Sequence, residues 1–419
     1  MQPDSANSSK TLGKAFNRIW SASMMSNLAD GLLKTAAPLL AATLTQDPIL
    51  ISGMAALVML PWLLFAIPVG GMVDRVNRRL ALASANAARF LVTGILAFAI
   101  ATDSLNIWGL YAAAFMIGIC EVVYDTTTQS MIPQVLESKN FEKGNARLQI
   151  SETVIAEFLG APLSGVLYAL VAFLPFVFNS VAFAAAAILV LLVPKSFATT
   201  LKAKPDLDSE AEKTGFWKDI RFGIEYLWRD KRLMRLVITT AFIGLCFALA
   251  TSTMVLFVLN EMKVTEAAFG FVMLSMGIGA ILGGIFAPAA SKKFGRGTIM
   301  AVASLGMTSM IFLGGFAPNI TFLMTTFFIG GICNTSWNLL VMSSYHAMIP
   351  NHLFGRIHGT RRTLVWGMMP IGSLIGGALA VYGLRVPFFV GGGLSTILAI
   401  LSYRFIKKLG DFAANHPGS

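Results

Sequence analysis

The chain has 419 residues, of which 56% are hydrophobic and only 13% are charged, and its formal net charge is +11. This balance, with a mean hydropathy of +0.71, excludes a water-soluble protein of this length. The basic residues fall between apolar runs rather than on one polar face, which excludes a nucleic-acid-binding protein. Each cysteine lies inside an apolar run, so neither a disulfide framework nor a metal site is indicated.

Twelve apolar runs are long enough to cross a hydrocarbon core of roughly 30 Å, which takes about 20 helical residues. In chain order, the first six spans are predicted at 17–43, 49–72, 80–101, 107–130, 147–170 and 173–193. The second six are predicted at 234–259, 267–290, 297–316, 319–346, 362–384 and 386–405. The expected fold class is therefore an all-α membrane protein with two bundles of six transmembrane helices.

The distribution of basic residues predicts the orientation of these spans. With the N-terminus placed in the cytoplasm, only Lys263 and Arg385 of the 32 Lys and Arg residues fall in outer loops. Because basic residues are enriched in cytoplasmic loops, we expect both termini to be cytoplasmic.

A long polar segment midway along the chain predicts the domain organisation. The predicted domains are an N-terminal bundle at 1–193, a cytoplasmic linker at 194–233, and a C-terminal bundle with its tail at 234–419. Within the linker, apolar residues recur at helical spacing between Phe216 and Trp228. This pattern predicts an amphipathic helix at the membrane surface, although a docked linker would show it as well.

The loop between the second and third spans reads Gly70-Gly71-Met72-Val73-Asp74-Arg75-Val76-Asn77-Arg78-Arg79. It resembles the signature loop of the major facilitator superfamily, in which a glycine, an Asp-Arg pair and an Arg-Arg pair stand in this order. The resemblance extends over the whole chain and implies the major facilitator fold. Asn77 stands where the family has a second glycine, which we attribute to the left-handed backbone angles that asparagine accepts. The equivalent loop of the second half, 291–296, lacks the aspartate.

The same resemblance implies a cytoplasmic gate formed by ion pairs at the rim of the membrane. Its predicted members are Gly70, Asp74, Arg75, Arg78 and Arg79 in the loop, with Asp125 and Glu152 as partners on neighbouring spans. The alternative is that the three arginines only anchor the loop in the cytoplasm.

The fifth span carries Gly160-Ala161-Pro162-Leu163-Ser164-Gly165. This stretch resembles the Gly-Pro-x-x-Gly-Gly element of drug:proton antiporters, with Ser164 in place of one glycine. Gly160 and Gly165 would allow close helix contacts, and Pro162 would free a backbone carbonyl and bend the helix. Other stretches of the first half, such as Ser26 to Gly31, resemble the branch that contains macrolide and siderophore exporters.

Ionisable residues inside membrane spans are candidates for function because their burial is costly. At about 1.5 Å per residue, Asp30, Arg89, Glu121 and Glu157 lie near the middle of their spans. We predict that these four residues couple transport to protons. Two structural alternatives are open: Asp30 could neutralise Lys34 on the same helix face, and Arg89 could hold Glu121 or Glu157 as a buried ion pair.

No predicted span of the second half has, in its interior, an acidic or basic residue comparable to these four. Where the fourth span has Glu121 and Asp125, the tenth has Asn334 and Asn338. Amides can bind a substrate but cannot carry a proton, so we predict neutral recognition by Asn334, Trp337 and Asn338. Asn27 on the first span is the predicted contribution of the first half to this substrate cavity.

Together these patterns predict a secondary active transporter that exports small amphipathic compounds in exchange for protons by alternating access. The alternatives are an importer or facilitator of a metabolite or lipid, and a non-transporting membrane receptor. No phosphate-binding loop or His-Glu-x-x-His motif occurs, so we predict neither an enzyme nor a cofactor. The predicted partners are a small-molecule substrate, protons and the lipid bilayer, for a monomer in the bacterial inner membrane.

Overall fold

The structure is a computed structural model that describes residues 13–73, 76–136, 140, 144, 147–148, 151–194, 224–349 and 351–415. The helices of the first half are α1 Lys14–Leu44, α2 Pro48–Val73, α3 Arg78–Ala101, α4 Ile107–Val135, a π-helix at Glu152–Gly160 that continues as α5 Ala161–Leu170, and α6 Leu174–Leu191. The second half begins with α7 Lys231–Thr251, which is followed by a single turn at Met254–Leu256 and a π-helix at Phe257–Glu261. The remaining helices are α8 Glu266–Phe294, α9 Arg296–Gly314, α10 Ile320–Met348, α11 Asn351–Ala380 and α12 Val386–Asn415. The described residues form no β-strand, so the all-α fold class is confirmed for them.

Nine helices within the described ranges are long and apolar enough to cross a membrane. The helices α1 and α10 are as long but fall below this criterion. They are also the helices that carry the polar candidate residues Asn27, Asp30, Asn334 and Asn338. Polar residues needed at a site inside the membrane therefore lower the hydropathy signal of the spans that carry them.

Polar side chains define where several helices begin. The amide oxygens of Asn77, Asn106 and Asn319 accept hydrogen bonds from backbone N–H groups in the first turns of α3, α4 and α10. Such N-caps satisfy donors that a helix start leaves unpaired. The backbone of Asn77 is extended, with φ −68°, so our attribution of this residue to a left-handed conformation is wrong. Asparagine is suited to this position because it caps α3.

The eleventh helix begins earlier than its apolar run. The predicted span starts at residue 362, whereas α11 starts at Asn351. The apolar run reports only the part of a helix that is immersed in hydrocarbon, and backbone hydrogen bonding continues beyond it. As a result, Arg361 lies inside α11 rather than in the loop before it, together with Arg362 at the start of the predicted span.

One compact unit comprises residues 1–36 and 64–209. In it, α3 packs against α4 and α6, and α1 crosses the π-helix and α5 at very short range. A Cβ atom at Gly31 would lie 2.4 Å from the carbonyl oxygen of Ala156, and one at Gly160 would lie 2.7 Å from the Cα of Gly31. The Ser164 hydroxyl also donates a buried hydrogen bond of 2.7 Å to the carbonyl of Leu32.

The other compact unit comprises residues 37–63 and 210–419. Its helices pair as α7 with α11, α8 with α10, and α9 with α12. A Cβ atom at Gly372 of α11 would lie 2.1 Å from the carbonyl oxygen of Leu245 on α7. The first turns of α2 belong to this unit, where Ser52 contacts the backbone at Gly377 of α11.

The predicted linker lies largely outside the described residues. Residues 195–223 are not described, so the predicted amphipathic helix at Phe216–Trp228 can be examined only from residue 224, where a short helix runs to residue 229. The domain boundaries at 193 and 234 stay predictions.

Candidate functional site

A cavity of about 510 Å³ lies within the first half, between α1, α4 and the π-helix. Its ionisable lining residues are Asp30, Lys34, Glu121, Asp125 and Glu152. Asn27 and Tyr124 line the same cavity. The structure thus brings together two predicted proton-coupling residues, a predicted substrate residue and two residues that we had assigned to a cytoplasmic gate. Glu121 and Asp125 share this cavity because four residues along α4 return to the same helix face.

Arg89 of α3 is completely buried and forms an ion pair with Asp30 of α1. Its Nη1 atom lies 3.6 Å from Oδ1 of Asp30 and donates a hydrogen bond of 3.1 Å to the hydroxyl of Ser26. The guanidinium also lies over the rings of Phe183 and Tyr124, at 4.9 and 5.6 Å from their centroids. These contacts stabilise a cation that would otherwise be very costly to bury.

This pairing decides part of one structural alternative drawn from the sequence, in which Arg89 holds Glu121 or Glu157. Arg89 pairs with Asp30, and no ion pair joins it to Glu121 within the described part of the chain. The side chain of Glu157 lies outside the described residues, so its role stays a prediction. Nε and Nη2 of Arg89 are buried and have no hydrogen-bond partner among the described residues. Arg89 therefore retains donor capacity beyond its contacts with Asp30 and Ser26.

A second cavity, of about 270 Å³, lies within the second half. It is lined by Asn334, Trp337 and Asn338, as predicted from the sequence, and the two amides hydrogen-bond each other over 3.3 Å. Sequence reasoning did not identify the four methionines that share this cavity, which are Met276, Met307, Met310 and Met369. They come from α8, α9 and α11, and no periodicity within a single helix distinguishes them from ordinary core residues.

The family follows from a comparison with known proteins. A model of the Major Facilitator Superfamily matches residues 19–363 and, in a second alignment, residues 236–415. The chain belongs to the Major Facilitator Superfamily. It is therefore a membrane transporter that acts on a small molecule, and not an enzyme.

Relatives within the Major Facilitator Superfamily differ in what their names say they transport. The chain is 27% identical over 155 residues to the niacin transporter NiaP of Acinetobacter baylyi, covering 36% of this chain and 34% of NiaP. It is 29% identical over 171 residues to the multi-drug resistance efflux pump PmrA of Streptococcus pneumoniae, covering 39% of this chain and 42% of PmrA. These matches span less than half of either relative.

Two matches extend over nearly the whole chain. The MFS-type transporter YceJ of Bacillus subtilis, named as uncharacterized, is 24% identical over 416 residues, covering 94% of this chain and 97% of YceJ. A mutant of the nucleoside transporter NupG has a crystal structure that matches with a TM-score of 0.74 at 13% identity, covering 94% of this chain and all of NupG. This structural likeness shows the major facilitator fold alone.

The signature loop of the superfamily is only partly described. Asp74 and Arg75 lie outside the described residues, so their ion pairs stay predictions. Arg79 donates a hydrogen bond to the carbonyl of Leu191, at the C-terminal end of α6. Because helix C-termini carry partial negative charge, Arg79 caps α6 in this structure. A Cβ atom at Gly70 would meet no described atom within 4 Å, and the role of Gly70 in the gate stays a prediction.

The antiporter-like element of the fifth span lies where the π-helix becomes α5. Gly160 makes the predicted close helix contact, and its partner is Gly31 of α1. Pro162 is the second residue of α5 and follows the π-helix without a break in the helical backbone, and the bend expected from it stays a prediction. Gly165 is buried in α5. Ser164, which departs from the family element, uses its hydroxyl to bind the backbone of α1.

The early start of α11 places Arg361, which precedes the predicted span, within the helix next to Arg362. The guanidinium of Arg361 lies 4.6 Å from the ring centroid of the buried Tyr345. That of Arg362 lies 4.7 Å from the centroids of both Trp62 and Trp366. Aromatic faces stabilise a partly desolvated cation, so these arginines bind the packed rings of their own unit.

Proposed function

We propose that this transporter exports small amphipathic compounds in exchange for protons, by alternating access across the bacterial inner membrane. The observation that carries this proposal is the first-half cavity, which places Asp30, Glu121, Asp125 and Glu152 around one space next to the buried Arg89. Carboxylates inside a membrane protein that face a cavity are the groups able to take up and release a proton. A facilitator that needs no coupling ion would have no use for such a cluster.

The ion pair between Asp30 and Arg89 provides a physical switch. When Asp30 accepts a proton it loses its charge, and its electrostatic attraction to Arg89 is removed. Arg89 then retains Ser26 and two aromatic rings as neighbours. A protonation that changes the contacts between α1 and α3 alters the relative free energies of two transport states, which is the requirement for coupling.

The second half supplies neutral recognition through Asn334, Trp337 and Asn338, and Asn27 adds an amide in the first half. The gate of the signature loop, with Asp74, Arg75, Arg78 and Arg79, belongs to the same proposal. Similarity to the efflux pump PmrA supports export. The transporter functions as a monomer in this account.

The proposed topology has twelve transmembrane helices with both termini in the cytoplasm. The turn after α3 and the turn after the Phe257–Glu261 π-helix carry Asp103 and Lys263, and both residues have positive φ angles that mark tight turns. Engineered cysteines at these two sites should react with an impermeant maleimide added from outside. Cysteines at Arg78 and Lys204 should react only after the membrane is permeabilised, and the reverse pattern would overturn the topology.

Import of a metabolite is the second candidate function, because the niacin transporter NiaP matches over 155 residues. A single assay distinguishes the candidates. Everted vesicles carrying the protein are energised with a proton gradient and screened against lipophilic drugs, siderophores and niacin. Export predicts accumulation in everted vesicles and dissipation of the gradient, whereas import predicts accumulation in right-side-out vesicles only.

Replacing Asp30 with Asn tests the coupling site in reconstituted proteoliposomes. The variant should lose accumulation driven by a proton gradient and retain exchange of labelled for unlabelled substrate. Asp103→Asn is the matched control, since asparagine also accepts the positive φ of 49° found there. Full gradient-driven accumulation in Asp30→Asn would move the proton to Glu121 or Glu157, and the absence of any gradient-dependent substrate would overturn proton coupling.

A further inference from the structure

No charged side chain lines the cavity of the second half among the described residues. Its lining consists of the four methionines, aliphatic and aromatic side chains, two glycines, and the side chains of Thr240, Thr326, Asn334 and Asn338. A cation entering this cavity would lose its hydration without gaining a counter-ion. The composition therefore selects against charged ligands.

The volume of the cavity limits the size of the ligand. A cavity of about 150 Å³ holds a benzene molecule, so the volume of about 270 Å³ corresponds to roughly two fused aromatic rings. Trp337, Phe247 and Phe327 supply aromatic faces and edges. Methionine sulfur also contacts aromatic rings favourably, and its flexible side chain adapts to different shapes.

The polar groups of the cavity show which hydrogen bonds remain for a ligand. The hydroxyls of Thr240 and Thr326 already donate to Leu236 and Leu323 of their own helices, each over 2.8 Å. Asn338 donates to Asn334 over 3.3 Å, which leaves the amide N–H groups of Asn334 available.

The indole of Trp337 adds a second donor. Trp337 is 2% exposed, and no hydrogen bond joins its N–H to another residue in the described part of the chain. The N–H is not among the fully buried donors that lack a partner, and Trp337 lines the cavity, so this donor can be satisfied by a ligand or water there. The available donors of Trp337 and Asn334 both match an acceptor oxygen.

We infer that the second-half cavity binds an uncharged, planar aromatic compound of about two rings that carries a carbonyl oxygen, with this oxygen accepting hydrogen bonds from Trp337 and Asn334. This inference rests on the proposed function only in treating the cavity as a substrate site. It requires no proton coupling and no direction of transport. It narrows the substrates from amphipathic compounds in general to neutral aromatic lactams, amides and ketones.

Equilibrium binding to the purified full-length protein in detergent, without any gradient, tests this inference with three matched probes. N-methylisoquinolone is planar, neutral and carries a lactam carbonyl. N-methylisoquinolinium has the same ring system with a permanent positive charge, and methylnaphthalene is neutral without a carbonyl. The lactam should bind at least about 10-fold more tightly than the cation and about 5-fold more tightly than the hydrocarbon. Equal or tighter binding of the cation would overturn the inference.

Substitutions of lining residues test whether the lactam binds in this cavity. Trp337→Phe keeps an aromatic ring but removes the N–H, and it should weaken lactam binding about 5- to 10-fold while leaving methylnaphthalene binding within about 2-fold. Trp108→Phe is the matched control, because Trp108 is exposed on α4. Asn334→Asp introduces a carboxylate and should reverse the preference towards the cation. Thermal unfolding of each variant establishes that it is folded.

The outcomes separate this inference from the proposed function. Selective lactam binding that is weakened in Trp337→Phe supports the second-half cavity as the binding site, even if no proton-driven transport is found. Proton-driven export together with lactam binding that is unchanged in Trp337→Phe and Asn334→Asp would overturn the cavity assignment and leave the proposed function in place.

Discussion

The cavity of the first half is lined by four carboxylates and Lys34, whereas the cavity of the second half is lined by neutral side chains in the described part of the chain. The helices around them are joined in a similar way. Gly31 and Gly160 bring α1 against the π-helix and α5, and Gly372 brings α7 against α11. The two halves therefore share close helix contacts at glycines but differ in the charge of their cavity-lining side chains. Stability and proton handling can accordingly be tested by separate substitutions.

The largest expected effect concerns the Arg89–Asp30 ion pair of the first half. Replacing Arg89 with Met removes the positive partner of the Asp30 carboxylate. Breaking a buried ion pair costs about 3–5 kcal/mol. The free energy of unfolding in detergent should fall by that amount, and the folded yield should fall with it. Asp30→Asn combined with Arg89→Met should restore most of the loss, because no charge remains unpaired.

Arg404→Met on α12 is the control for this prediction, since Arg404 is exposed and surface changes shift stability by about 0.5 kcal/mol or less. If Arg89→Met unfolds with the same free energy as the unsubstituted protein, the ion pair is not a stabilising contact. If Lys34→Met rather than Arg89→Met rescues Asp30→Asn, the partner of Asp30 is Lys34.

The shared packing predicts equal sensitivity to a methyl group in both halves. Gly31→Ala and Gly372→Ala would each place a Cβ atom within 2.4 Å of a carbonyl oxygen on a neighbouring helix, and such overpacking costs about 1–3 kcal/mol. The controls are Gly70→Ala and Gly359→Ala, where no described atom lies within 4 Å. Thermal unfolding of the four variants measures the difference, and a tolerant Gly31→Ala or Gly372→Ala would show that the close approach is not needed.

A smaller effect is expected at Ser164. Its hydroxyl donates a buried bond of 2.7 Å to the carbonyl of Leu32, and removing one such bond costs about 0.5–1.5 kcal/mol. Ser164→Ala should lower the free energy of unfolding in this range, whereas Ser164→Gly, which restores the residue of the resembled antiporter element, should lower it further because glycine disfavours a helix. A stabilising Ser164→Gly would contradict this prediction, because it would mean that serine costs stability relative to the glycine of the element.

The smallest effect is expected at the Arg385–Glu261 pair of the second half. Arg385 bonds Glu261 over 2.6 Å and the carbonyls of Gly315 and Ala317, and both charged side chains are about one third exposed. Glu261→Gln should cost about 0.2–1 kcal/mol and become neutral at high salt. Arg385→Gln should cost more, because the two carbonyls also lose their donor, and the opposite ranking would show that the ion pair dominates.

The sequence alone was sufficient for the features that depend on local pattern or depth. Apolar runs predicted the helices, and depth along the spans placed Asp30 and Glu121 at a similar level, where both line one cavity. Asn27 lines that cavity as well, rather than the one lined by Asn334, Trp337 and Asn338. Rotation of one helix against another has no such local signal. The partner of Arg89 was therefore uncertain between several acids, and the convergence of four methionines from three helices was not predicted.

Helix ends account for the remaining differences. Hydropathy reports where a helix meets hydrocarbon, so the eleventh span was predicted to begin at residue 362, whereas α11 begins at Asn351. The capping role of Asn77 depends on a hydrogen bond to Leu80, which a comparison with a family glycine did not suggest. Both errors arise because polar residues at helix ends obey hydrogen-bonding rules rather than hydropathy.

The central claim is that the first half handles the proton and the second half recognises a neutral ligand. The direct measurement is the number of protons moved per substrate in proteoliposomes, from a pH-sensitive dye inside the vesicles and labelled substrate in the same sample. Asp30→Asn should reduce this ratio to near zero, while Asn334→Leu and Asn338→Leu should change the apparent affinity and leave the ratio unchanged. A changed ratio in either second-half variant, or an unchanged ratio in Asp30→Asn, Glu121→Gln and Asp125→Asn alike, would contradict the account.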